Sequence, residues 1–340
     1  MRALPLVALI LAGCATTSVP QTATAPLVAA TAETDPVDTA ADAADDPAIW
    51  RNPADPAKSL VIGTDKKAGI HVYSLAGKRL SFTPADRLNN VDLRTVGTRV
   101  IAAASDRADV DTAHVSLFTL DTAAAKLVPL GRFPIGPGEA YGMCLWTRAR
   151  DHALFGFVVL KDGRIDQVAI DVSGTVPKVT TVRSMKLASQ AEGCVVDDRT
   201  GLLYVAEEDV GLWRFDADPA APATATPIAQ VDGRTLVADA EGLALAPSGR
   251  RGGYLVVSSQ GDNAYSVYRL TDDSYVGRFR ITAGAFGGTD ETDGIEVAVG
   301  DFGPQFPGGL FIAQDGVNPP SAQNFKLVSW ADIKSALGLK

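Results

Sequence analysis

Three carboxylates, Asp42, Asp45 and Asp46, fall inside the stretch Asp42-Ala-Ala-Asp-Asp-Pro-Ala-Ile-Trp50, just ahead of a proline and an apolar run. Carboxylates this close repel one another unless a cation holds them. Hard oxygen ligands at this density suit Ca2+ or a similar ion. An acidic turn ahead of a strand, its Asp side chains accepting local N–H groups, explains the same residues. The stretch alone leaves both readings open. Further polar turns carry Asp65, Lys66, Lys67, Asp106, Arg107, Glu192, Glu207, Glu208, Asp209, Asp239, Glu241, Gln260 and Asp293. Acids and bases brought together from such turns would suit a metal cluster that holds a phosphate, with Lys and Arg taking the remaining phosphate oxygens. Taken singly, each also reads as solvated surface charge: Glu207-Glu208-Asp209 as an acidic turn, Lys66-Lys67 as surface cations, Arg107 as a partner of Asp106 or Asp109. His71, His114 and His152 are too scattered for a His-based zinc site and read as structural. The chain shows no Gly-x-Ser-x-Gly stretch, and Gly63-Thr-Asp-Lys-Lys-Ala-Gly69 lacks the spacing of a phosphate-binding P-loop.

The elements that must position these turns are strands. Short runs rich in Val, Ile, Leu, Tyr and Phe alternate with Gly, Asp, Asn and Pro clusters, and helical periodicity is nearly absent. Leu60–Thr64, Leu202–Glu207 and Tyr254–Ser258 are each followed by a polar turn and a return strand bearing aromatics, and Val100–Ala104 reads as a further strand. These hairpins recur about every 50 residues or a multiple of that, as four-stranded propeller blades do, so about 300 residues make six blades. The expected fold is therefore all-β: a six-bladed β-propeller of four-stranded antiparallel blades. Its one helix is expected at the end, capped by Ser329, with Asp332 three residues on and Gly338 closing it. In a propeller the polar turns lie nearest the central channel and converge at one mouth.

The ordered series from the Asp-Ala-Ala-Asp-Asp-Pro-Ala-Ile-Trp stretch through Leu88-Asn-Asn-Val-Asp-Leu-Arg94, Ala191-Glu-Gly193, Ala206-Glu-Glu-Asp209, Ala240-Glu-Gly-Leu243, Thr292-Asp-Gly294 and Ala313-Gln-Asp-Gly316 closely resembles the β-propeller phytases, from about Glu33 to Lys340. That resemblance implies Ca2+-dependent hydrolysis of the phosphomonoesters of phytate (myo-inositol hexakisphosphate). It implies active-site Ca2+ ligands at Asp45, Glu192, Glu208, Asp239, Glu241 and Asp293. Lys66, Arg107, Tyr141 and Lys161 match positions that contact the phosphate being cleaved. Lys67 and Asp162 match positions beside a second, adjacent phosphate, and Gln260, on one of the same turns, is expected to contact substrate. Glu33, Asp46, Asn89 and Asp315 match positions near further Ca2+ ions that stabilise the fold. Two departures stand out. The family pattern has another Asp a few residues before the final Thr-Asp-Gly, whereas this chain reads Ala285-Phe-Gly-Gly-Thr-Asp-Glu-Thr-Asp-Gly294; and Asp162 stands where Glu is more familiar. Two other classes remain open: a propeller hydrolase of lactones or other esters built on a single metal, and a non-catalytic binding propeller at a cell surface.

The formal net charge of −9 argues against a nucleic-acid partner. It also requires that an anionic substrate meet a local cationic site. Residues 1–13 read as a signal peptide, a basic residue before a short apolar core, and Leu11-Ala-Gly-Cys14 resembles a bacterial lipobox that would leave Cys14 lipidated. Residues 14–32, rich in Ala, Thr and Pro, read as a flexible tether, and residues 33–340 as the propeller domain. The expectation is an exported monomer that meets a membrane only through the lipid. Cys144 and Cys194, in similar contexts about one blade apart, either form a disulfide or remain two buried thiols.

Overall fold

The computed structural model describes residues 22–340; the expected leader and Cys14 lie outside them. Six antiparallel sheets make six blades. The inner strands are Ala44–Trp50, Leu88–Val96, Ala140–Thr147, Ala191–Asp197, Ala240–Ser248 and Ile295–Ala298, in blades 1 to 6. Each packs against the next, and the sixth packs back on the first, so the ring is closed around a central channel. Strand alternation puts apolar residues on both faces of every blade. Between blades 3 and 4, for example, Trp146, Phe155 and Phe157 meet Val196, Leu203 and Phe215 in one core. Cys144 and Cys194 are joined as a disulfide with Cα atoms 5.7 Å apart, which ties the inner strands of these two blades together.

The chain closes its own ring. Ala32–Glu33 pairs with Asn324–Ser329 as the outermost strand of blade 6, whose other three strands come from the C-terminal end. Just before it, Leu27–Ala29 adds in parallel to Tyr275–Thr282, a fifth strand on blade 5. Val28 and Ala30 are buried there in a core shared with Trp330 and Ile333. Residues 22–32 therefore lie on the fold rather than in the free tether expected over 14–32; a composition of Ala, Thr and Pro hid the few apolar contacts that hold them. The C-terminal helix spans Trp330–Leu337, with the Ser329 hydroxyl accepting from the Asp332 N–H and Gly338 left-handed at the end. Among the described residues no helix is long and apolar enough to cross a membrane.

Candidate active site

Two rings of side chains are built by one repeated backbone device. The inner strands of blades 1 to 5 begin with a β-bulge, which re-aims a side chain at the strand start. The residues at these starts are Asp45, Asn89, Tyr141, Glu192 and Glu241, and Asp293 takes the equivalent place ahead of the sixth. In three successive blades a glycine follows: Gly142, Gly193 and Gly242. A Cβ there would overlap the carbonyl of Glu192, Glu241 or Asp293 in the next blade, so only glycine lets the blades approach this closely. The second ring sits on the turns after the second strands. Its backbone N–H groups reach back to the start of the inner strand in every blade: Lys66 to the Ala43 carbonyl at 2.7 Å, Arg107 to Arg87 at 3.1 Å, Lys161 to Glu139 at 3.1 Å, Glu208 to Gln190 at 3.1 Å, Gln260 to Asp239 at 2.9 Å and Gly316 to Asp290 at 2.8 Å. In blades 1 to 5 this bond presents a different polar side chain from each blade, and in blade 6 it is made by Gly316. Blades 1 to 3 give Lys66, Arg107 and Lys161. Blades 4 to 6 give Glu192, Glu208, Glu241 and Asp293.

The two halves meet across a cavity of about 930 Å³ lined by Lys66, Tyr141, Glu208, Asp239, Glu241 and Asp293, with residues 316–323 forming part of its wall. On the acidic side, carboxylate oxygens of Glu192, Glu208 and Glu241 lie within 4.8 Å of one another. Burial first, and then the charges of neighbouring carboxylates, push Glu192 and Glu241 well above the usual carboxylate range. Burial likewise raises Glu208 against the hydrogen bond from Gln190, whose amide is 2.8 Å from Oε2. Glu241 Oε2 and Asp45 Oδ2 are buried with no hydrogen-bond partner. Unpaired buried carboxylate oxygens are costly, and a cation among them removes that cost.

On the basic side, Lys66 Nζ lies 2.8 Å from Asp42, 3.0 Å from Asp45 and 3.2 Å from Asp293. Burial disfavours its ammonium, yet Asp45 and Asp293 outweigh that and raise its pKa. Asp293 is pushed up to about 7 by burial and by Asp45, against the pull of Lys66. Arg107 donates to Asn89 Oδ1 at 2.9 Å and to Glu139 Oε1 at 2.9 Å, and its guanidinium stands 4.9 Å from the Tyr141 ring centroid. Lys161 Nζ is 5.3 Å from the same centroid. The Tyr141 hydroxyl is held protonated, by burial first and by the Glu192 charge second.

Of the expected residues, Asp45, Lys66, Arg107, Tyr141, Lys161, Glu192, Glu208, Asp239, Glu241 and Asp293 converge on this mouth. Gln260 lines it too and donates to Asp293 Oδ1 at 2.7 Å. Lys67 is exposed on the same turn as Lys66, and Asp162 is exposed beside Lys161 with Lys186 Nζ 3.2 Å from its Oδ2. The four positions grouped as stabilising do not form one set. Asn89 belongs to the mouth, donating to Glu192 Oε1 at 2.7 Å. Asp46 lies deeper, lining a small cavity with Glu296 and accepting from the Val91 N–H at 2.9 Å. Glu33 and Asp315 lie at the blade 6 seam, joined through Lys326. Glu139 and Gln190, which orient Arg107 and Glu208, were not foreseen. Both stand two residues before the channel residue, as Asp239 does in blade 5, and that shared offset is the signal that would have found them.

The family model described as Phytase matches residues 2–340. The 3-phytase of Bacillus subtilis (strain 168) is 43% identical over 329 residues, covering 92% of this chain and 85% of that protein. Among solved structures, a chain of "Crystal Structure of Mitotic Checkpoint Complex" is 12% identical with a TM-score of 0.49, covering 97% of this chain and 85% of that one. The Myceliophteria thermophila Cps50 (Swd1) beta-propeller domain is 14% identical with a TM-score of 0.47, covering 79% of this chain and 80% of that one.

Proposed function

The chain belongs to the phytase family and hydrolyses phytate, and we propose that Ca2+ held at the channel mouth and a facing clamp of basic side chains carry out that hydrolysis. The observation that carries the proposal is the buried cluster of Glu192, Glu208 and Glu241, in which Glu241 Oε2 has no hydrogen-bond partner, a donor set of hard oxygens that fits a hard cation. Glu192, Glu208, Asp239, Glu241, Asp293 and Asp45 are the residues that would hold it. Ca2+ bound there would supply positive charge to phosphoryl oxygens and make a nearby water more acidic.

The chain's own groups account for the rest. Lys66, Arg107 and Lys161 bind phosphoryl oxygens from the opposite side of the mouth and offset the charge that shifts among them in the transition state. Asn89 and Glu139 fix the Arg107 fork and Tyr141 backs it, so little reorganisation is needed when phosphate arrives. The protonated Tyr141 hydroxyl donates to a phosphoryl oxygen. A water at the acidic wall attacks phosphorus and gives its proton to a carboxylate of the Glu192, Glu208 and Glu241 cluster. The P–O ester bond breaks as the new P–O bond forms, and the departing inositol oxygen takes up the proton that the attacking water gave to the carboxylate. Lys67, on the rim beside Lys66, binds a neighbouring phosphate that does not react.

Phosphate release from phytate tests this with added Ca2+ and after dialysis against EDTA. Chelation is expected to abolish turnover and to lower the melting temperature, because ions bound only to the native mouth stabilise it by mass action. Full activity in excess EDTA would end the metal reading.

We also propose that Cys14 carries lipid and tethers an exported propeller to a membrane, on the Leu11-Ala-Gly-Cys14 sequence after an apolar core. Intact-mass analysis of membrane and soluble fractions checks it. A soluble mature protein starting elsewhere, with no acyl mass, would refute it.

A further inference from the structure

The seam of blade 6 holds a cation of its own. Lys326 is 0% exposed, and its Nζ lies 2.6 Å from Glu33 Oε2, 3.1 Å from Asp315 Oδ2 and 3.2 Å from Asn318 Oδ1. An ammonium has three N–H donors, and here each has an acceptor. The other Asp315 oxygen accepts from the Asp290 and Val317 N–H groups, at 3.2 and 3.3 Å. Glu33 Oε2 also receives the Asn324 amide at 3.3 Å. Gly287 packs on the ammonium, a Cβ at that position falling 3.0 Å from Nζ. Gly287 belongs to the stretch that lacks the additional carboxylate, so the ammonium faces no third acid there.

These residues do not fit a Ca2+ site. Hard cations of this size take six to eight oxygens, commonly several of them carboxylate. The seam offers two carboxylates and the amide oxygens of Asn318 and Asn324. Both carboxylates are paired with Lys326 and Nζ fills the place between them, whereas the mouth's cluster of Glu192, Glu208 and Glu241 carries no such lysine among the described residues. We propose that the Lys326 ammonium is the resident cation of this seam and that Glu33 and Asp315 bind no Ca2+ in this chain. The consequence is mechanical. Glu33 sits on the N-terminal strand, Asp315 and Lys326 on two C-terminal strands, so Lys326 fastens the two ends of the chain that close the ring. Ring closure is then independent of metal, while the mouth is not: chelation empties the catalytic site without opening the propeller.

Glu33→Gln tests this in the full-length protein, because Glu33 is partly exposed and the amide keeps its shape. Bound Ca2+ is counted by equilibrium dialysis, and melting is followed in Ca2+ and in EDTA, with Asp315→Asn run in parallel. Both variants are expected to bind as many Ca2+ ions per chain as the wild type. Both are expected to melt lower than the wild type by the same amount in either buffer. Loss of one Ca2+ per chain in Glu33→Gln, or a melting deficit seen only in Ca2+, would overturn the proposal. A wild type that binds no Ca2+ would contradict the reading of the mouth while agreeing with this one.

Discussion

Blades 1 to 3 and blades 4 to 6 share one backbone device, and only the first half puts a cation on it in every blade. After the second strand, the first half carries Lys66, Arg107 and Lys161, where the second carries Glu208, Gln260 and Gly316. The inner ring shows the same division: Asn89 and Tyr141 on one side, Glu192, Glu241 and Asp293 on the other, with Asp45 bonded to Lys66. Phosphoryl transfer needs both a cation-binding wall and an anion-binding wall, and a ring of near-equivalent blades supplies them by changing side chains alone. The two walls should therefore fail in different ways when they are damaged.

The largest loss is expected in the acidic half. Glu208→Gln keeps the shape and removes the charge, and turnover should fall by on the order of 10²-fold or more while the melting temperature in EDTA stays near wild type. A variant with near wild-type kcat would remove Glu208 from the site. In the basic half, Lys66→Ala takes away a donor to the reacting phosphate, and kcat should fall by about 10²-fold on every phosphomonoester. If only phytate were affected, Lys66 would belong to a binding subsite instead. The smallest and most selective effect is expected for Lys67→Ala. Both lysines lie on the turn after Asp65; Lys66 is partly buried against Asp45 and Asp293, and Lys67 is exposed. Its loss should weaken kcat/KM for phytate and leave an aryl phosphate, which has a single phosphate, almost unchanged. Equal losses on both substrates in the two lysine variants would replace two phosphate positions with one.

How much of this the sequence disclosed follows from burial. The second strands of the blades were legible, Leu202–Glu207 to the residue and Leu60–Thr64 one residue short of Leu60–Asp65, because both faces are packed and the apolar runs are continuous. The outer strands were not. Lys126–Pro137 and Lys178–Lys186 are largely exposed, so no apolar pattern marks them. The inner strands were broken up for the eye by the polar residues and glycines that make the site. Ring closure by Ala32–Glu33 was hidden as well, since two residues paired across the chain leave no local signature. At the site, the charged residues were found through resemblance. The partners that orient them, Glu139 and Gln190, and the lysine that occupies the seam, needed the third dimension.

The division of the mouth into a metal wall and a phosphate wall is tested most directly by the Ca2+ concentration that half-activates phosphate release from phytate, measured for wild type, Glu208→Gln and Arg107→Ala. Arg107 contacts Asn89 and Glu139 rather than the acidic cluster of Glu192, Glu208 and Glu241. Glu208→Gln is expected to need more Ca2+ for half-activation of whatever activity remains. Arg107→Ala is expected to keep the wild-type Ca2+ dependence at a much lower maximal rate. Equal shifts in the Ca2+ requirement of both variants would contradict the account.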